Sequence, residues 1–178
     1  MTVEDGFVRV VITTPYGRIV CSIDTVHAPV TAANFLAYAD GGYLDGTEIY
    51  RIATLANQAQ PEHQIDVIQW GYRLDPGAGP LPRIIHEPTG VTGLRHKRGT
   101  LSMARREVGT AGPGFFFCMG GELSALDQGG ERHPDGQGFA AFGEVIEGMD
   151  TLEAIMATAD PQQEWLPVAS KILSVARL

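Results

Sequence analysis

The residues able to do chemistry first narrow the field by their arrangement. His27, His63, His86, His96 and His133 are scattered, and none stands at a metal-ligand spacing such as His-Glu-x-x-His. The sequence has no Gly-x-Ser-x-Gly elbow, no phosphate-cradling loop and no dinucleotide fingerprint. Asp127-Gln128-Gly129-Gly130-Glu131 and His133-Pro134-Asp135-Gly136 read as a long polar turn, without the regularly spaced oxygens of a calcium loop. Cys21 and Cys118 each sit in an apolar run and read as small buried thiols. What remains is hydrogen-bond chemistry. Arg51 offers a permanently charged fork of N–H donors. Gln69 lies between Ile68 and Trp70, in an apolar strand where a buried amide must find partners. An isolated arginine of this kind is ordinarily a surface residue on an edge strand, so the surrounding elements decide.

Those elements are mostly strands. Phe7–Thr13 is a β-branched run, Pro15-Tyr16-Gly17 makes a turn, and Arg18–Ile23 returns as the second arm of a hairpin. A helix starts at Pro29, with Val30, Ala33, Phe35, Leu36 and Ala39 as its apolar stripe, and Gly41-Gly42 stops it. Further strands are predicted at Glu48–Ile52, Gln64–Trp70, Gly99–Ala104, Phe115–Cys118 and Gly138–Glu144. A second helix is predicted over Met149–Thr158 and a last strand over Lys171–Ala176. Segments 53–63 and 71–99 read as loops. This order suits an antiparallel barrel or sandwich capped by two helices, and not the βα alternation of a parallel sheet. Alternation puts Val67 and Gln69 on one face of their strand. It likewise puts Phe115 and Phe117 together and Phe116 opposite, most simply in the core.

The chain has 178 residues, 44% hydrophobic and 19% charged, an ordinary globular composition. Neither repeat nor linker interrupts it, so 1–178 reads as a single domain. The net charge is −8, from 13 Lys and Arg against 21 Asp and Glu, which argues against nucleic-acid or anionic-membrane partners. No apolar run reaches the roughly 18 residues of a membrane span, and the N-terminus lacks a signal-peptide pattern. A cytoplasmic location is the default expectation.

Read in order, several segments carry a resemblance. They are Thr13-Thr14-Pro15-Tyr16-Gly17-Arg18-Ile19, Ala28-Pro29-Val30-Thr31-Ala32-Ala33-Asn34-Phe35, Tyr50-Arg51-Ile52 and Val67-Ile68-Gln69. Then come Arg98-Gly99-Thr100-Leu101-Ser102-Met103-Ala104-Arg105, Phe115-Phe116-Phe117-Cys118, Leu126-Asp127 and Phe142-Gly143-Glu144-Val145-Ile146-Glu147-Gly148-Met149-Asp150. Over about residues 7–178 the sequence resembles the cyclophilin family of peptidyl-prolyl cis-trans isomerases. The resemblance implies a closed eight-stranded antiparallel β-barrel with a helix at each end. It also implies rotation of X–Pro bonds in proline-containing polypeptides, with no cofactor, metal or covalent intermediate, in a monomer that assists protein folding. It places Arg51 as the catalytic donor and Gln69 as the residue that orients it and the substrate. Val67, Phe117, Leu126 and Phe139 become walls of the proline pocket, with Phe117 its floor. Phe115 falls where the family commonly has Gln. Ala104 and Arg105 border the groove along which a peptide lies.

The sequence departs from the family in places. Between Arg51 and Gln69 lie 17 residues, more than the family usually has, so 54–63 reads as an insertion beside the groove. Asp66 falls where a pocket phenylalanine is usual. A carboxylate facing a proline ring is unfavourable unless paired, so Asp66 is expected to turn away and pair with Arg51 or Arg105. Arg105, where Asn is common, is expected to add positive charge to the groove. Ala125 replaces an aromatic that contributes to binding cyclosporin, so weak cyclosporin binding is expected. Trp70 replaces a common Gly. A groove altered at Asp66, Phe115 and Ala125 also leaves an alternative, a proline-peptide holdase with little turnover.

Overall fold

The computed structural model describes residues 5–178. Strands β1 (Phe7–Thr14) and β2 (Gly17–Asp24) form the expected hairpin, with Val10 opposite Cys21. Helix α1 (Pro29–Asp40) follows, then β3 (Glu48–Ala53) and β4 (Ile65–Gly71). The four-residue helix α2 (Thr89–Thr92) interrupts the segment read as a loop. Next come β5 (Thr100–Met103), β6 (Gly114–Gly121), a 3₁₀ turn (Leu123–Leu126), β7 (Ala141–Glu147) and helix α3 (Met149–Met156). Strands β8 (Trp165–Lys171) and β9 (Ser174–Arg177) end the chain.

Among the described residues nine strands form one sheet, in the order β8-β3-β4-β6-β5-β7-β2-β1-β9, and each neighbouring pair is antiparallel. The outer strands β8 and β9 are consecutive in sequence. Between them, the Ile172 N–H donates to Thr47 O (2.8 Å) on the β3 side, and the Leu173 N–H donates to Thr13 O (2.8 Å) on the β1 side. One chain segment thus spans the seam, but no ladder joins β8 to β9, so the sheet is not strictly closed and the single last strand that was expected is split in two. The β8 half has no clear sequence signal because Pro167 interrupts it and most of its side chains face solvent.

The barrel interior holds Ile12, Cys21, Ile52, Ile68, Trp70, Leu101, Phe115, Phe117 and Phe142. Trp70 fits there by lying flat on Phe117 at 5.7 Å and tilted against Phe115 at 5.1 Å. Its Nε1 has no hydrogen-bond partner, a cost of about 1–3 kcal/mol set against the area that its ring buries. Helix α1 inserts Phe35, edge-on to Trp70 and Phe115. Its buried face is Thr31, Ala32, Asn34, Phe35, Leu36, Tyr38 and Ala39, while Ala33 of the expected stripe is exposed. The Glu87 carboxylate caps the helix, accepting from the Val30 N–H (3.0 Å) and the Thr31 N–H (2.8 Å). Helix α3 buries Leu152 and Ile155 in the same core. A second, smaller apolar cluster of Ala53, Ile65, Val67, Ala104, Phe116, Cys118 and Leu126 forms on the other face of β4 and β6.

Candidate active site

The outer face of β4 and β6 carries a groove of about 250 Å³. Its position follows from register. Arg51 on β3 is paired with Gln69 on β4, and Gln69 with Phe116 on β6. Directly paired residues share a face, so arginine, amide and ring point the same way.

The polar end is a chain of hydrogen bonds. Arg51 Nη1 donates to Gln69 Oε1 (2.9 Å), Gln69 Nε2 donates to Tyr50 Oη (3.0 Å), and Tyr50 Oη donates to Tyr72 O (3.2 Å). Burial pushes the Tyr50 phenol up to about 12, against the opposing pull of Gln69 and the charges of Arg51 and Arg73, so it stays protonated at neutral pH. Arg51 Nη2 donates to Glu164 Oε1 (2.9 Å), and Glu164 is held by its own carbonyl, which accepts from the Ile52 N–H (2.8 Å). The Arg51 guanidinium also lies 5.6 Å from the Trp165 ring, which stacks on Tyr50 at 6.0 Å. Arg51 is therefore oriented from three sides.

The apolar end is built on Phe116, with Val67, Leu126, Ala104 and Phe139 around it. Phe139 stands edge-on to Phe116 at 5.6 Å. The His96 ring lies parallel to Phe116 at 6.2 Å. His96 is fixed by Asp127 Oδ1 at Nδ1 (2.7 Å) and by Ser102 Oγ at Nε2 (2.8 Å). Burial pushes the Asp127 carboxyl up, but its hydrogen bonds from His96 outweigh this and hold it below the usual range. Ser102, His96 and Asp127 repeat the order of a hydrolytic triad, yet Ser102 is 0% exposed and no substrate reaches it. The line serves to hold the His96 ring against Phe116.

The structure places Arg51, Gln69, Val67, Ala104, Arg105, Leu126 and Phe139 along the groove. It corrects three expectations. Phe115 and Phe117 do not line the groove; they pair with Trp70 and Ile68 and face the barrel interior, and Phe116 takes the groove position. Alternation is right and its phase is inverted: Ile68 and Trp70, flanking Gln69, point inward and take Phe117 and Phe115 as partners. Asp66 pairs with neither Arg51 nor Arg105. A register shift between Asp66 and Val67 turns it aside, and its Oδ1 accepts from the Leu55 N–H (2.9 Å). Arg105 adds no free charge to the groove. Its side chain is 1% exposed, forks onto Asp135 (2.8 and 3.0 Å) and donates to Gly138 O (2.6 and 2.9 Å). The Arg105 guanidinium holds the Asp135 carboxyl far below the usual carboxylate range. Gly138 is required by its packing on the 126–128 backbone: it has φ +64°, and a Cβ there would lie 2.5 Å from the Asp127 carbonyl carbon.

Ile65, Leu74, Phe116, Arg132, Glu164 and Trp165 complete the lining, and of these only Phe116 lies in a segment that the sequence singled out. Glu164 meets Arg51 across 113 residues, a pairing with no local signal. The 54–63 segment is fastened by side-chain amides. Asn57 Nδ2 donates to Ile52 O, Asp160 O and Gln163 O (2.8–3.1 Å), and Gln58 Nε2 donates to Thr54 O (2.7 Å) and Ile65 O (2.6 Å). Among the described residues no group of three or more His, Cys, Asp or Glu side chains could hold a metal ion.

Barrel and groove together define a β-barrel protein with a half-apolar surface groove and a pre-oriented arginine. Residues 8–177 match the family model described as cyclophilin type peptidyl-prolyl cis-trans isomerase/CLD. The peptidyl-prolyl cis-trans isomerase cyp18 of Streptomyces antibioticus is 32% identical over 145 residues, covering 80% of this chain and 79% of that protein. Peptidyl-prolyl cis-trans isomerase A of Dickeya dadantii is 30% identical over 147 residues, covering 83% and 70%. The crystal structure of a cyclophilin type peptidyl-prolyl cis-trans isomerase from Cryptosporidium parvum superposes with a TM-score of 0.72 at 22% identity, over 97% of this chain and 98% of that one, a likeness of fold. The chain belongs to the cyclophilin-type peptidyl-prolyl cis-trans isomerase family.

Proposed function

We propose that this groove holds X–Pro segments of polypeptides and that the protein turns over their cis and trans forms there, as an isomerase that assists folding. The observation that carries the reading is the Arg51–Gln69 pair at the edge of the Phe116 cluster, in a chain of this family. The uncatalysed barrier is about 18–20 kcal/mol, mostly amide resonance. A turnover of order 10³ s⁻¹ needs it lowered by roughly 7 kcal/mol. As the C–N bond twists, the prolyl nitrogen regains its lone pair and becomes an acceptor. The proline ring rests on Phe116, against Val67, Leu126 and Phe139. Among the described residues Arg51 gives one donor to Gln69 and one to Glu164, and its remaining N–H groups serve the substrate carbonyl and the twisting nitrogen. Glu164 fixes the guanidinium and offsets part of its charge. A related crystal structure from Cryptosporidium parvum was determined in the presence of the dipeptide Ala-Pro, a ligand of the size this reading requires.

Cyclosporin binds weakly on this reading, because Ala125 is buried and presents no aromatic surface to the groove. The protein is a monomer, its charge of −8 opposing self-association. The test is cis-to-trans relaxation of an Ala-Pro peptide after a solvent jump. Wild type accelerates it, and Arg51→Ala lowers kcat/KM by about 10²–10³. Equal acceleration by the two proteins removes Arg51 from the reaction.

A further inference from the structure

We propose that Arg132, seated in the groove by the 54–63 segment, recognises a carboxylate carried by the substrate next to its X–Pro bond. The proposal deepens the isomerase reading and rests on it. Three guanidinium groups line the groove, those of Arg51, Arg105 and Arg132. Arg51 has Glu164 as its counter-ion and Arg105 has Asp135. Arg132 has no carboxylate at ion-pair distance among the described residues. Its Nη1 donates to two neutral oxygens, Gln58 Oε1 (2.7 Å) and His63 O (3.3 Å).

That seat is built. Gln58 Oε1 also accepts from the Ile65 N–H (3.2 Å), while its Nε2 is tied to Thr54 O and Ile65 O, so the acceptor cannot swing away. The Arg132 backbone is fixed in turn, its N–H donating to Ala125 O (3.1 Å). The insertion thus holds a second cation beside the Phe116 cluster. The surroundings do not neutralise that cation. Burial and the charge of Arg51 both disfavour it, and Glu164 only partly compensates. A guanidinium that is half-buried, anchored by one edge and lacking a counter-ion presents its remaining donors to an incoming carboxylate, which it can take as a fork. The ligand is therefore a polypeptide with Asp or Glu flanking the proline.

The experiment compares kcat/KM, by exchange NMR, across peptides with Glu, Gln or Lys immediately before proline and immediately after it. Wild type is expected to prefer Glu over Gln by about tenfold at one of the two positions, with the ratio shrinking as salt is raised. Arg132→Gln is expected to bring that ratio to about one, and Arg132→Glu to favour Lys. Gln58→Ala, which keeps the charge and removes its seat, is expected to give an intermediate ratio. Amide dispersion in the NMR spectrum of each variant shows that it is folded. Turnover on all peptides with Glu and Gln equal at both positions overturns the proposal alone. A Glu preference that survives Arg132→Gln overturns it as well. Absence of turnover on every peptide removes the isomerase reading and this proposal with it.

Discussion

Arg51 acts as one member of a held group. Gln69, Glu164 and Trp165 fix the guanidinium before a substrate arrives, so little reorganisation remains for the transition state. The phenylalanine run gives a sharper residue-level test, because adjacent rings have opposite fates. Phe117 fills the barrel against Trp70, and Phe116 lines the groove. Phe117→Ala is expected to cost about 3–5 kcal/mol of stability, read in a urea melt. Phe116→Ala is expected to lower kcat/KM in protein that remains folded. The opposite pattern would restore Phe117 to the pocket. The family resemblance of their motifs made Arg51 and Gln69 legible in the sequence, despite the 17 residues between them. The phase of the Phe run was not, since alternation sorts residues into two faces without saying which is inside. That choice belongs to the pairing of Ile68 and Trp70 across the ladder.

The loop elements bear on the groove through segment 54–63. Its length was visible in the sequence and its attachments were not, because side-chain amides reach carbonyls as distant as Asp160 and Gln163. Asp66, expected to meet an arginine, holds the start of this loop through Leu55. The segment ends at His63, whose ring stands between Glu122 (3.1 Å) and Glu131 (2.8 Å). The hydrogen bond with Glu122 raises the His63 value above that of a free histidine; desolvation opposes it, and the charges of both carboxylates assist. A raised folded-state value means the contribution is fully present below the ordinary histidine range and is lost as pH rises through the raised value. Amides of 54–63 are therefore expected to be better protected from hydrogen exchange at about pH 5.5 than at about pH 8.5, after correction for intrinsic rates. His63→Gln is expected to abolish the difference. Protection independent of pH in wild type would show that the clasp contributes nothing.

For the molecule as a whole, the final segment links the two edges of the sheet. Both outer strands belong to the final segment, and Ile172 and Leu173 bond to opposite sides of the seam. Ile172 is 1% exposed, so Ile172→Ala is expected to cost about 2–5 kcal/mol, a drop in Tm far larger than that of Leu173→Ala at the half-exposed neighbour. Similar small losses for both would mean that this link adds little to the cooperativity of the fold. The order of strands and helices pointed to an antiparallel barrel or sandwich, and the family resemblance chose the barrel. The β8 half of the seam was not, because a strand that is mostly exposed and broken by Pro167 carries no alternating pattern. The sheet also gives the groove its floor, since β4 and β6 place Gln69 and Phe116 on one face and the packed core on the other.

On the proposed reading, catalysis rests on Arg51 acting on a proline peptide held against Phe116. Two-dimensional exchange spectroscopy of an Ala-Pro peptide reads both halves at once, with wild type or Arg51→Ala present at substoichiometric concentration. Wild type is expected to give cis–trans exchange cross-peaks at mixing times where the free peptide gives none. Arg51→Ala is expected to shift the peptide resonances on binding and to give no cross-peaks. Binding without exchange in wild type would make the groove a peptide holder, and undiminished exchange in Arg51→Ala would place the catalytic donor elsewhere.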